Sequence, residues 1–176
     1  MAGVPHIFAM IAPCLENSPQ PSNINRIIVA GDHCSNTLLK QIHHYLPKAE
    51  IHLMYGCTEV LRSCHHQWTP HSKDRVIGTA VPDATIRLLE NEGSLNTKQG
   101  ELLHQGPTVA RGYWNREAKH FPLSNYGYNS GDIILRGDDD LFYFIERSSD
   151  ILKIQFVVNS EVLRIHFMVD IHAHQG

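Results

Sequence analysis

The sequence predicts an α/β fold in two parts: a β–α–β unit of a parallel sheet, then a small antiparallel, barrel-like β subdomain. Three observations carry this. Two short apolar runs, residues 26–30 and 51–55, are each closed by a glycine, Gly31 and Gly56. Between them, Leu38, Leu39 and Ile42 recur on one helical face. After Pro70 the pattern changes to short β-type runs separated by turn clusters.

Each element has its own reason. Residues 1–15 carry apolar side chains at 4, 7, 8, 11 and 15, a helical period. Residues 16–25 hold two prolines, two serines and three asparagines, which makes them a loop. The runs at 26–30 and 51–55 suit strands buried on both faces. Ser35 is placed to cap a helix over 36–45, and Pro47 stops it. Beyond Pro70, residues 81–90, 100–106, 132–135 and 141–145 read as short strands. The turn clusters Asn91-Glu92-Gly93 and Gly137-Asp138-Asp139-Asp140 separate them. Ser148-Ser149-Asp150 reads as a hinge and 151–158 as a strand, while 160–176 shows only a weak helical pattern.

Composition excludes several function classes. The 176 residues carry a net charge of −3 and a sequence pI of about 6.5, with 42% apolar and 19% charged residues. Nothing in that balance points to a nucleic-acid groove or a membrane surface held by bulk charge. No apolar run approaches the ~20 residues of a membrane span. No Lys or Arg precedes the apolar start, so no secretory signal is expected. The four cysteines, at 14, 34, 57 and 64, form no disulfide framework, and a reduced, cytoplasmic setting is the expectation. Cys57, Cys64, His65, His66 and His71 match no familiar tetrahedral spacing and read as a polar surface loop. A His/Cys metal-binding domain stays open as an alternative.

Two motifs carry chemistry. Tyr55-Gly56-Cys57-Thr58-Glu59 directly follows a buried strand, the place where ligands collect in open α/β sheets. Glycine there lets backbone approach a ligand, a Thr hydroxyl can donate to phosphate, and a Glu carboxylate suits Mg²⁺. The plainer alternative is a strand end followed by a helix capped by Thr58. In the second motif, Gly131-Asp132 is followed by Arg147 across a hairpin at 138–140, so antiparallel pairing returns Arg147 to Asp132. A carboxylate there can accept both hydroxyls of a ribose; the plainer alternative is a cross-strand salt bridge.

Together these motifs resemble the AMP-forming, adenylate-forming superfamily of acyl-CoA synthetases, adenylation domains and luciferases. Tyr55-Gly56-Cys57-Thr58-Glu59 matches its Tyr-Gly-x-Thr-Glu. Gly100-Glu101-Leu102, Gly106-Pro107 and Gly112-Tyr113-Trp114 match its Gly-Glu-Leu … Gly-Tyr segment. Tyr128-Asn129-Ser130-Gly131-Asp132 matches Tyr-x-Thr-Gly-Asp, and Arg147-Ser148-Ser149-Asp150-Ile151-Leu152-Lys153 matches Arg-x-x-Asp-x-x-Lys.

The resemblance implies roles. Gly31 would lie beside the acyl and adenine pocket, Tyr55 against adenine with Phe144 a candidate for its other side, and Gly56 would belong to the cofactor-binding set. Thr58 would contact phosphate and Glu59 would bind Mg²⁺. Asp132 would hold the ribose hydroxyls with help from Arg147, and Lys153 would serve the second half-reaction. The implied substrates and cofactors are ATP/AMP, Mg²⁺, a small-molecule carboxylate, and the thiol of coenzyme A or phosphopantetheine. The family joins the carboxylate to AMP, then passes the acyl group to the thiol. The implied division is 1–75, the α/β portion of the large domain; 76–146, the β subdomain; and 147–176, the hinge and the start of a small domain.

Departures accompany the match. The Ser/Thr/Gly-rich phosphate loop ending in Lys, and the family's C-terminal catalytic lysine, have no counterpart in these residues. The β–α–β unit therefore reads as part of a larger, truncated sheet. The chain alone is expected to turn over at near background and to associate with itself or a complementary chain. A non-catalytic AMP-binding module is the alternative of a different class. No nucleic-acid partner is expected.

Overall fold

The structure, a computed structural model, describes residues 1–16, 23–90, 95–96, 98–117, 121, 123–158 and 161–168. For residues 96, 150–158 and 161–168 it describes the backbone alone. The turn expected at Asn91-Glu92-Gly93, most of the loop at 16–25 and the tail after 168 lie outside the described residues.

The chain opens with β1 (Ala2–Gly3), α1 (Pro5–Glu16), β2 (Arg26–Ala30), α2 (Asn36–Tyr45) and β3 (Glu50–Cys57). β1 pairs parallel with β2, and β2 pairs parallel with β3. The helix expected from residue 1 therefore starts at Pro5, because Ala2 and Gly3 add to the sheet edge. Ser35 caps α2 as expected, its hydroxyl accepting from Leu38 N at 3.3 Å. Such a cap is worth about 1 kcal/mol. Phe8 from α1 and Leu39 and Ile42 from α2 pack on Ile27, Val29, Ile51 and Trp68. Each such buried side chain contributes roughly 1.5–3 kcal/mol.

β3 does not run into a helix. Thr58 and Glu59 form a tight turn into β4 (Val60–Trp68), which returns antiparallel to β3. The helix capped by Thr58 is thus corrected, and so is the polar surface loop at 57–71. β4 reads poorly as a strand because half-buried His65, His66 and exposed Gln67 interrupt its buried Val60, Ser63, Cys64 and Trp68. Its partner on the other edge is β5 (Val76–Ala80), where the sequence reading placed no strand. Gly78 makes that approach feasible: its φ is +90°, and a Cβ there would lie 1.9 Å from the His65 carbonyl oxygen.

The antiparallel part follows: β6 (Thr85–Leu89), β7 (Leu95–Asn96), β8 (Gln99–Gln105), β9 (Leu123–Ser124), β10 (Gly127–Arg136) and β11 (Phe142–Arg147). Residues 81–84, expected within a strand, form a turn closed by Ala84 N donating to Val81 O at 2.9 Å. Among the described residues the path runs β1-β2-β3-β4-β5-β11-β10-β8-β6-β7, with β9 on β10. The parallel unit and the antiparallel part therefore share one continuous sheet, joined at β4–β5. A second apolar cluster of Cys64, Ile77, Leu88, Leu102 and Ile134 lies at this junction.

After β11 come a 3₁₀ turn, Ser148–Asp150, and a hairpin of β12 (Ile151–Val158) and β13 (Glu161–Met168). The weak helical pattern expected from residue 160 is therefore corrected to a strand. β-Branched and aromatic residues in 161–168 pair across the hairpin with β12, and that partner overrides the local period.

Candidate functional site

A cavity of about 200 Å³ opens at the carboxyl ends of β2 and β3, facing β10 and β11. Gly31, Tyr55, Gly56, Asp132, Phe144 and Arg147 all border it, so the residues the resemblance assigned to the adenosine part of the nucleotide meet in one place. The volume is below the ~300–1,000 Å³ of pockets for drug-sized ligands, and suits part of a nucleotide rather than the whole.

The register of β10 and β11 pairs Asp132 with Arg147 directly. The pairing of β10 with β8 is irregular between Asn129 and Ile133, next to Asp132. Such irregularities re-aim side chains beside functional sites. Asp132 is 3% exposed. Its Oδ1 accepts from Arg147 Nε at 2.8 Å, and its Oδ2 accepts the Tyr55 hydroxyl. Its backbone N–H donates to Ser130 Oγ at 3.3 Å. The Arg147 side chain keeps 55% exposure against 4% for Asp132, so the pair is a buried carboxylate met by a half-solvated guanidinium.

Chemistry follows from this count. An ionised carboxylate offers about four lone-pair positions. Tyr55 and Arg147 use two, which leaves acceptor capacity for two further donors such as a vicinal diol. Burial, then the negative charge of Asp132, pushes the Tyr55 phenol well above its ordinary range, so Tyr55 stays a donor. A hydrogen bond of this charged kind contributes ~1.5–3 kcal/mol.

Gly56 is required by the hairpin itself. A Cβ there would lie 2.6 Å from both Arg62 N and Val60 O, which are backbone atoms of β4. That steric reason stands beside the ligand-approach reason read from sequence.

Thr58 and Glu59 sit in the β3–β4 turn and do not border the cavity. Thr58 is exposed. Glu59 accepts the Tyr113 hydroxyl at 2.5 Å, and that bond holds its carboxyl below the usual range. It is therefore ionised at neutral pH, a hard oxygen donor whose chemistry fits Mg²⁺. Lys153 lies in β12, outside the residues whose side chains are described.

The His/Cys cluster does not converge. Strand alternation sends Cys64 inward beside Tyr55, while His65 bonds His52 at 2.8 Å. His66 Nε2 meets Ser72 Oγ at 2.9 Å. Among the described residues, no group of three or more His, Cys, Asp or Glu side chains is arranged to hold a metal ion.

Sequence reasoning missed His104. It lies in β8, opposite Tyr128 in register, and is 1% exposed. Its ring stacks on Tyr55 with centroids 6.1 Å apart and planes at 16°. Among the described residues, neither ring nitrogen has a protein hydrogen-bond partner. Burial pushes the imidazole down to about 4, so it is neutral at pH 7. Unpartnered buried polar atoms cost ~1–3 kcal/mol each, so this position is expensive. Its only sequence signal was position: it falls inside the Gly100–Gly106 motif segment, after Leu102 and Leu103.

Comparison with known proteins bears on the family and the fold. The family model described as AMP-binding enzyme matches residues 1–114. Acyl-CoA synthetase 7 of Caenorhabditis elegans is 27% identical over 153 residues, which is 82% of this chain and 28% of the relative. D-Alanine–D-alanyl carrier protein ligase of Lacticaseibacillus rhamnosus is 28% identical over 160 residues, 84% of this chain and 31% of the relative. The O-succinylbenzoate coenzyme A synthetase of Bacillus subtilis, solved in complex with AMP, superposes with a TM-score of 0.71 at 22% identity. That superposition covers 86% of this chain and 31% of the other, and shows that the fold is shared. The chain thus spans about a third of the length of the relatives it matches, 28% and 31% for the first two named here.

Proposed function

This chain belongs to the AMP-binding enzyme family, and on that premise we propose that it carries the adenosine-holding part of an ATP-dependent acyl-adenylating ligase. The observation that carries the reading is the meeting of Tyr55, Asp132 and Arg147, from three separate strands, at one cavity. In this reading Tyr55 and Phe144 flank adenine, and Gly31 and Gly56 let the backbone pass close to the nucleotide. Asp132 accepts from the ribose hydroxyls, and Arg147 orients its carboxylate through the Nε–Oδ1 hydrogen bond. Thr58 donates to phosphate and Glu59 is the Mg²⁺ ligand. A bound Mg²⁺ would supply charge stabilisation at the phosphates. Lys153 serves the transfer of the acyl group to a coenzyme A or phosphopantetheine thiol. The proposed division is 1–75 and 76–146 within the large domain, and 147–176 as hinge and small-domain start. The whole protein's proposed partner is a small-molecule carboxylate.

Calorimetry with AMP tests the reading on the wild type and on Asp132→Asn. The isosteric amide cannot satisfy both Tyr55 and Arg147 as the carboxylate does, and its charge is lost. AMP affinity is expected to fall about 10- to 100-fold, the worth of one or two charge-assisted hydrogen bonds. A wild type that ignores millimolar AMP, or a variant that binds it equally well, overturns the proposal. One observation favours a second reading, binding without turnover: Thr58 and Glu59 border no part of the cavity. AMP binding with no ATP–pyrophosphate exchange in the presence of Mg²⁺ would select it.

A further inference from the structure

We infer that His104 is a positioning residue for this site: its ring lies parallel to the Tyr55 ring and so keeps the Tyr55 hydroxyl on Asp132. For its consequence in nucleotide binding the inference rests on the adenosine reading above; its geometry does not.

Five rings form an unbroken series that starts at the cavity. Tyr55 stacks on His104 at 6.1 Å, and His104 meets Tyr128 at 6.2 Å. Tyr128 meets Phe121 at 5.2 Å, and Phe121 meets Tyr113 edge-on at 5.4 Å. All four separations lie within the range in which aromatic pairs attract. The two ends of the series are phenols bonded to carboxylates: Tyr55 to Asp132, and Tyr113 to Glu59. These are the two acidic residues assigned to the nucleotide site. His104 is the link next to the ribose end. Tyr55 borders the cavity and His104 does not.

The identity of the residue is informative. An aliphatic side chain would fill a buried strand position opposite Tyr128 without burying two ring nitrogens that meet no protein partner among the described residues. A buried polar group retained without partners marks a position where local rules yield to another requirement. The requirement visible here is a flat surface parallel to the phenol, at 16°. An aliphatic chain presents no such plane. Tyr128 is a second buried ring beside the imidazole, tilted 43° to it.

The test uses protein labelled with ¹³Cζ-tyrosine, in which the Tyr55 signal is assigned with Tyr55→Phe and followed without ligand. His104→Phe keeps the plane and is expected to keep one sharp Tyr55 signal near its wild-type position. His104→Ala removes the plane and is expected to shift or broaden that signal. Should the alanine variant not fold, by far-UV circular dichroism, His104→Leu replaces it with the same expectation. An unmoved Tyr55 signal in a folded Ala or Leu variant overturns the inference. AMP titration of the same samples supplies the second arm: affinity about 3- to 10-fold weaker in Ala or Leu, and within about twofold in Phe. If the wild type does not bind AMP yet the Tyr55 signal responds as stated, the adenosine reading fails and the positioning of Tyr55 stands. If AMP binding weakens while the Tyr55 signal stays fixed, the positioning role fails and the adenosine reading stands.

Discussion

Acid should destabilise this protein through His104 specifically, and the size of the effect can be worked out. The imidazole titrates near 6.5 when free and near about 4 in the folded chain, because burial disfavours its charged form. The folded value is depressed, so the unfolded chain takes up the proton first as pH falls. The stability this group contributes is full above pH 6.5 and is lost progressively down to about pH 4. At about 1.36 kcal/mol per pH unit, the interval corresponds to roughly 3 kcal/mol. That is a large share of the 5–15 kcal/mol typical of a folded domain. Other groups titrate in the same window. Burial also lowers His65 and His66, and Glu50 and Glu59 are held low by hydrogen bonds from His52 and Tyr113. The informative measurement is therefore a difference. Urea denaturation followed by circular dichroism at pH 7, 5.5 and 4 is run on wild type and on His104→Phe, which cannot protonate. The gap in unfolding free energy between the two should open in favour of Phe by about 3 kcal/mol between pH 7 and 4. Parallel stability curves across that range would refute the claim that His104 is buried, neutral and unpartnered.

Gly78→Ala is expected to disrupt the β4–β5 junction, because the added Cβ would fall 1.9 Å from the His65 carbonyl oxygen at a φ of +90°. A loss of more than about 3 kcal/mol, or failure to fold, is expected in thermal melts, and an unchanged midpoint would contradict the register of these strands. Tyr113→Phe removes the hydroxyl that bonds Glu59 at 2.5 Å. The Glu59 carboxyl should then titrate at higher pH, read by ¹³C-carboxyl NMR, with little change in overall stability because Tyr113 is exposed. An unmoved titration would mean that the bond does not persist in solution.

Much of the site was legible because its signals are local. A strand closed by glycine, a serine three residues before an amide it caps, and an Asp and Arg on either side of a short hairpin each depend on a few neighbouring residues. Tyr55, Asp132 and Arg147 could therefore be named before their convergence was seen. β4 was hidden because a strand between two partners tolerates polar side chains on its less buried face, which erases the hydropathy pattern. β13 was hidden because its hairpin partner, rather than its own period, fixes its conformation.

What the sequence determined by itself was the strand–helix–strand order over 26–55 and the identity of Tyr55, Asp132 and Arg147, three residues that border the cleft. Tertiary structure alone decided that Thr58 and Glu59 turn into β4, and that the antiparallel part continues the same sheet. It also decided that a histidine is buried beside two tyrosines, with no protein partner for either nitrogen among the described residues. The physical reason is range. Capping, turn chemistry and hairpin register are set within a few residues. Burial of His104 is set by Tyr55, which is far away in the chain and brought close only when β3, β4 and β5 assemble onto β11, β10 and β8.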